Sequence, residues 1–104
     1  MKRDKRMYIF RIGDKIGKYG YTNNIIRRLK ELERQYKKVV TIYWVSEQLV
    51  REDTAKRNEQ RMRKELAQKY GISNIPNDRF EIIEGLAVEL SIRGKRKEVA
   101  NIIF

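Results

Sequence analysis

Tyr8, Lys18 and Arg28 stand ten residues apart in succession, and Glu59 follows much further along the chain. A phenol, two cations and a carboxylate are the parts needed to cut a phosphodiester around one metal ion. Each occupies a position where a polar head calls for a reason. Tyr8 lies in an apolar, strand-like run, Met7-Tyr8-Ile9-Phe10-Arg11-Ile12, and Lys18 opens Lys18-Tyr19-Gly20-Tyr21-Thr22. Arg28 flanks the apolar stripe of one helix and Glu59 falls inside the stripe of another.

The bulk composition narrows the chemistry. The chain of 104 residues carries 25 Lys and Arg against 14 Asp and Glu, a formal charge of +11, so a polyanion is the expected partner. Charged residues make up 38% and hydrophobic residues 40%, enough for one modest core and a salt-like surface. The expectation is a single domain over 1–104. There is no cysteine and no histidine, which excludes disulfides, thiolate metal sites and imidazole as base or ligand. Catalysis must then use Tyr, Lys, Arg, acids or hydroxyls, and any metal must be a hard cation held by oxygen. No apolar run approaches membrane-spanning length, and the lead-in Met1-Lys2-Arg3-Asp4-Lys5-Arg6 precedes no signal core. The expected compartment is the cytoplasm.

The elements that must position these groups read as an α+β fold. A small three-stranded antiparallel sheet flanked by helices is expected, in the order β-β-α-β-α, followed by further helix. The first two strands fall at about 7–12 and 15–22, joined at Gly13-Asp14 by a tight turn with glycine at its first central position. That turn brings Tyr8 near Lys18 and Tyr19 and leaves open which of them shares its face. Asn23 or Asn24 caps a helix reaching about Gln35. At about 100° per residue, Ile25, Leu29, Leu32 and Tyr36 share one stripe, with Arg28 at its edge and Arg27 pointing to solvent. Residues 39–45, Val-Val-Thr-Ile-Tyr-Trp-Val, read as a central strand covered on both faces. A second helix spans about Val50 to Tyr70 on a stripe of Ala55, Met62, Leu66 and Tyr70 that includes Glu59, and Gly71 ends it. A loop at 72–78, an extended piece at 79–82 and two short helices broken near Gly94 complete the chain, giving a helical extension over about 83–104.

Each singled-out residue also has a purely structural reading. Tyr8 can be an ordinary strand tyrosine and Lys18 an exposed strand residue. Arg28 can pair with Glu31 or Glu33. Glu59 is the hardest to dismiss, since a carboxylate in an apolar stripe costs several kcal/mol unless it is paired or metal-bound. Its structural partner would be Arg28 or Lys18.

Taken together, the residues resemble the GIY-YIG nuclease domain over about residues 7–82. Arg6-Met7-Tyr8 stands where that family has Gly-Ile-Tyr and keeps the tyrosine. The run from Lys18 to Leu29 stands where the family has Tyr-Ile-Gly-x-Thr-x-Asn-Leu-x-x-Arg-Leu; Gly20, Thr22, Asn24, Arg28 and Leu29 match. Lys18 replaces a tyrosine, as in the Lys-x-Gly branch common in phages, large viruses and some restriction enzymes. Ala55 to Glu59 reproduces the Ala-x-x-x-Glu setting of the family's metal-binding glutamate, and Asn77-Asp78-Arg79-Phe80 resembles the segment that ends this branch's core. Asn74 and Asn77 are both candidates for a late asparagine found in some members.

The resemblance implies a metal-dependent endonuclease acting on DNA, with RNA as a further substrate class. Glu59 would hold one Mg²⁺ or Mn²⁺ ion. Tyr8 would take the proton from the attacking water, helped by the charge of Lys18, and Arg28 would stabilise the transition state. Tyr21 is placed to hydrogen-bond the phosphate or the water. Arg27, Lys30, Arg57, Arg61, Arg63 and Lys64 would supply phosphate contacts without sequence information. The chain shows no appended specificity domain, which implies low specificity, recognition of a structure, or a homodimer. The rival readings are a non-catalytic nucleic-acid-binding or inhibitory module on the same fold, and a small basic RNA-binding protein of another fold.

Overall fold

The computed structural model describes residues 2–70, 79–81, 88–92 and 95–99. Its core is an antiparallel sheet of β1 (Arg6–Ile12), β2 (Ile16–Thr22) and β3 (Val40–Val45), with helices α1 (Ile25–Tyr36) and α2 (Glu52–Tyr70) inserted in the order β-β-α-β-α. β1 is apolar on both faces and sits between β2 and β3. Its even-numbered residues Tyr8, Phe10 and Ile12 pack with Leu32 of α1, and its odd-numbered residues Met7 and Ile9 pack with Ala55, Met62 and Leu66 of α2. Strand alternation therefore puts the two helices on opposite faces of the sheet.

The hairpin settles the register that the sequence leaves open. Ile12 pairs with Ile16, so the connection is three residues, Gly13-Asp14-Lys15, rather than two. Gly13 takes a φ of 62°, and its N–H donates to Val39 O at 2.8 Å, tying the turn to the entry of β3. Tyr8 then pairs with Gly20, and Phe10 with Lys18. Lys18, not Tyr19, is on the Tyr8 face.

α1 starts and stops by local chemistry. Thr22 Oγ1 accepts from Asn24 N at 3.1 Å, and Asn24 Oδ1 accepts from Arg27 N at 3.0 Å. This satisfies one of the orphan donors of the first turn. Lys37 closes the helix in the left-handed region with a φ of 53°, its N–H donating to Glu33 O. Leu32 is buried, and Ile25, Leu29 and Tyr36 pack partly beside it, the stripe that the spacing predicts.

β3 departs from expectation in place, though not in kind. It lies at the edge of the sheet, and β1 is the central strand. One face packs Val40, Ile42 and Val45 into the α1-side cluster and the other packs Trp44 into the α2-side cluster, while Thr41 is exposed, and the register against β1 shifts between Ile9 and Phe10. Ile9 pairs with Trp44 and Phe10 with Ile42, which leaves Tyr43 as an extra residue and lets Tyr43 and Trp44 enter the same cluster. Its poor alternation is the mark of this irregularity.

Beyond α2 the chain continues as β-structure: it is extended at 79–81, as expected, whereas the strands beyond residue 83 stand where helix is expected. β4 (Arg79–Glu81) pairs with β2 and makes the sheet four-stranded, in the order β3-β1-β2-β4. β5 (Val88–Ile92) and β6 (Lys95–Val99) form a separate hairpin, and β5 lies against α2. The helical extension over about 83–104 is corrected accordingly. Val88, Leu90 and Ile92 alternate with polar residues at the period of a strand. Ile92 pairs with Lys95, and a two-residue gap ending in glycine signals a hairpin more than a break between helices. Gly71, the 72–78 loop and the asparagines Asn74 and Asn77 lie outside the described residues. No helix among the described residues is long and apolar enough to cross a membrane.

Candidate active site

The central strand carries Tyr8 into the layer between the sheet and α1, where the residue is 2% exposed. Its ring stacks on Phe10, with centroids 4.2 Å apart and planes at 14°. The phenol lies across β2 at Gly20. A Cβ at that position would stand 2.6 Å from Tyr8 Oη and 2.9 Å from Cζ. The glycine is thus the condition for this pose, because any side chain would evict the ring. Gly20→Ala is expected to cost on the order of 1–3 kcal/mol of stability from overpacking. In a Tyr8→Phe background the shortest of these contacts is gone, so the same substitution should cost less in urea titrations. Equal costs in the two backgrounds would show that the phenol does not lie over β2.

Arg28 meets Tyr8 from the edge of the α1 stripe. Its Nε donates to Tyr8 Oη at 3.3 Å, and its Nη1 donates to Glu31 Oε2 at 3.2 Å. Burial taken alone lowers the pKa of this guanidinium. The hydrogen bond and charge of Tyr8, and then those of Glu31, outweigh it and raise the pKa. Arg28 is a fixed positive charge whose orientation two oxygens define. The pairing with Glu31 expected on structural grounds is therefore present together with the contact to Tyr8.

Lys18 occupies the same face, two pairs further along the hairpin, and is only 5% exposed. An ammonium so placed is not the exposed strand residue of the structural reading. Tyr8, Arg28 and Lys18 are brought together on the α1 face.

Glu59 comes from α2, which covers the other face, and it is half-buried. It is grouped with Tyr21, the partner of Met7 in the hairpin register. The Tyr21 pKa is raised by burial first, then by the charges of Glu52 and Glu59. Near neutral pH its hydroxyl stays protonated and acts as a donor. The two groups of side chains flank Gly20, whose backbone separates them. β4 pairs only as far as Lys18, so β2 from Tyr19 onward has an open edge among the described residues.

The expected phosphate contacts divide between two surfaces. Arg27 points to solvent as its helix phase predicts. Its Nη2 donates to Asn23 Oδ1 at 2.8 Å and its Nε lies 3.6 Å from Glu31 Oε1. Lys30 is exposed on the same helix. Arg57, Arg61, Arg63 and Lys64 are exposed on α2 and line an open depression with Gln60. Buried Ala55, Met62 and Leu66 hold the opposite side of that helix, so this basic face looks away from the sheet and from Tyr8.

Two residues escaped sequence reasoning. Asn58 is 1% exposed, and its Nδ2 has no hydrogen-bond partner among the described residues. Ala55, Asn58 and Met62 follow the i, i+3, i+7 spacing of a buried stripe, a signal that was available. Arg79 pairs with Lys18 across β2 and β4, and its guanidinium lies 5.3 Å over the Tyr36 ring. No sequence signal gives that pairing.

Among the described residues, no group of three or more Asp, Glu, His or Cys is gathered to hold a metal ion. The donor chemistry at Glu59 still suits one hard cation. Mg²⁺ retains most of its waters and is commonly held by one or two carboxylates plus substrate phosphate. No curated protein and no solved structure shows a significant match to the chain. The family model described as the T5orf172 domain matches residues 6–101, nearly the whole chain, and the protein belongs to the T5orf172 domain family.

Proposed function

We propose that this chain is a divalent-metal-dependent endonuclease of the GIY-YIG kind, hydrolysing phosphodiester bonds of DNA. The observation that supports this most is the contact between Tyr8 Oη and Arg28 Nε above Gly20, in a chain of net charge +11. Tyr8, in the phenolate form that the neighbouring cations favour, accepts a proton from the water whose oxygen attacks phosphorus. Arg28 donates to the non-bridging oxygens as negative charge builds there. Lys18 adds a second positive charge on the same face. The P–O3′ bond breaks, and the leaving oxygen takes a proton from solvent water, giving 5′-phosphate and 3′-hydroxyl ends. Tyr21 donates a hydrogen bond from the far side of Gly20. Glu59 is the residue that would hold the cation, which when bound supplies Lewis-acid stabilisation of the phosphate. Arg27 and Lys30 position the nucleic acid through its backbone.

The reading is tested by nicking of supercoiled plasmid. Cleavage is expected with Mg²⁺ or Mn²⁺ and none in EDTA. The placement of Glu59 on the helix opposite Arg28 favours a second reading, a non-catalytic nucleic-acid-binding module on the same fold. Retained plasmid binding with no nicking in either metal would select it.

A further inference from the structure

Arg79 reaches the sheet face that carries Tyr8 and Arg28. Phe10 pairs with Lys18, and Lys18 pairs with Arg79, so the three form one row across β1, β2 and β4. The Arg79 guanidinium covers the ring of Tyr36, the last residue of α1, and Tyr36 packs against the cluster that holds Tyr8 and Phe10. Cations from three elements, Arg28 of α1, Lys18 of β2 and Arg79 of β4, thus share one side of the sheet. The carboxylate beside Arg28, Glu31, is divided between Arg28 and Arg27, and the register of β4 places Glu81 on this side as well, opposite Ile16.

Resting on the nuclease reading of Tyr8 and Arg28, we propose that Arg79 binds a backbone phosphate of the nucleic acid adjacent to the phosphate engaged at Tyr8. Its row is two residues along β1 from Tyr8, about 7 Å at the rise of a strand, and Arg79 stands two strands across from β1, about 10 Å at the strand spacing, too far for the reacting phosphate and suited to a neighbour. Stacking on Tyr36 holds the planar fork in one orientation before binding and covers one of its faces. The Arg79 Nε is buried, so the end of the fork is what a phosphate engages, through the paired N–H donors of Nη1 and Nη2. Less side-chain freedom is then lost on binding than for an unsupported surface arginine. The competing account is a cation–π contact that only ties β4 to α1.

Binding of a short DNA duplex in EDTA, followed across a salt titration, separates the two. Arg79→Ala is expected to weaken binding and to lower the slope of log K against log salt by about 0.9, one phosphate contact. Arg79→Lys should retain the slope while losing part of the affinity, because the charge stays and the stacked fork does not. Tyr36→Leu should also retain the slope. If Arg79→Ala folds poorly, Arg79→Gln against Arg79→Lys gives the same comparison at similar side-chain length. A folded, charge-removed variant with the slope and affinity of the parent would overturn the proposal, and so would a parent protein that does not bind the duplex. The readout needs no cleavage. A parent that binds but never cuts would sink the nuclease reading and leave the Arg79 contact standing or falling on its own slope.

Discussion

Glu59→Gln is expected to abolish Mg²⁺- and Mn²⁺-dependent cleavage while duplex binding stays intact or tightens. The amide keeps the size and shape of the carboxylate and removes its charge, so packing along Ala55, Asn58 and Met62 is left alone. A hard cation loses its anionic ligand. A polyanion approaching the site loses a source of repulsion. The substitution has a second signature that does not depend on activity. Glu59 is one of the causes that raise the Tyr21 pKa, after burial and Glu52. Removing it should move the alkaline tyrosine absorbance transition of that residue toward lower pH. A shifted transition with unchanged cutting would falsify the metal role and keep the placement of Glu59 beside Tyr21. An unshifted transition would mean that the carboxylate is elsewhere.

Arg28→Ala and Arg27→Ala should part company by orders of magnitude. They are neighbours on α1 and each removes one positive charge, so a purely electrostatic binder would treat them alike, each lowering the salt slope by about one phosphate contact or less. The structure gives them different surroundings. Arg28 donates to Tyr8 Oη and has a side chain 32% exposed, whereas Arg27 is 58% exposed and bonds Asn23 at the helix start. Losing a transition-state donor at Arg28 should cost on the order of 10²–10³ in turnover, and losing Arg27 should mainly weaken binding. Glu31 adds a refinement, because its carboxylate is shared between the two arginines. Arg27→Ala frees Glu31 for Arg28 alone, so a modest change in turnover is compatible with the assignment. Single-turnover cleavage beside a salt titration is the measurement. Equal turnover losses, or a defect confined to Arg27→Ala, would show that the helix phase has been misjudged.

What the sequence discloses about this protein follows from whether the deciding physics is local. The Asn24 cap and the Ile25, Leu29, Leu32, Tyr36 stripe are written within four-residue windows, and α1 appears where they place it. The same arithmetic separates Arg27 from Arg28. It also allows Asn58 to be found, because a buried position follows from spacing even when the residue type argues against it. Pairing between strands is not written in the same way. Whether Lys18 or Tyr19 joins Tyr8 turns on one residue in the turn after Ile12, and a slip of one would exchange the two faces. The place of β3 at the edge depends on which strand β1 chooses as its second neighbour. Arg79 acquires a place beside Lys18 only because β4 docks on β2. The division between Tyr8 with Arg28 on one face and Tyr21 with Glu59 on the other belongs to the same class of long-range fact. The C-terminal hairpin differs again: Val88, Leu90 and Ile92 carry a strand period locally, while the high apolar count of the whole tail suits helix equally well.

The edge position of β3 bears on how the protein behaves in concentrated solution. Val40–Val45 is a run of β-branched and aromatic residues without a charge, and among the described residues nothing pairs with its outer side. Such an edge is a template for pairing with another copy. Lys37 and Lys38 stand before it as gatekeepers, and the charge of +11 holds free molecules apart. Salt screens that repulsion over a Debye length of about 10 Å at 0.1 M. High ionic strength is therefore the condition in which its colloidal protection is weakest, and purification in high salt exposes the β3 edge to self-association.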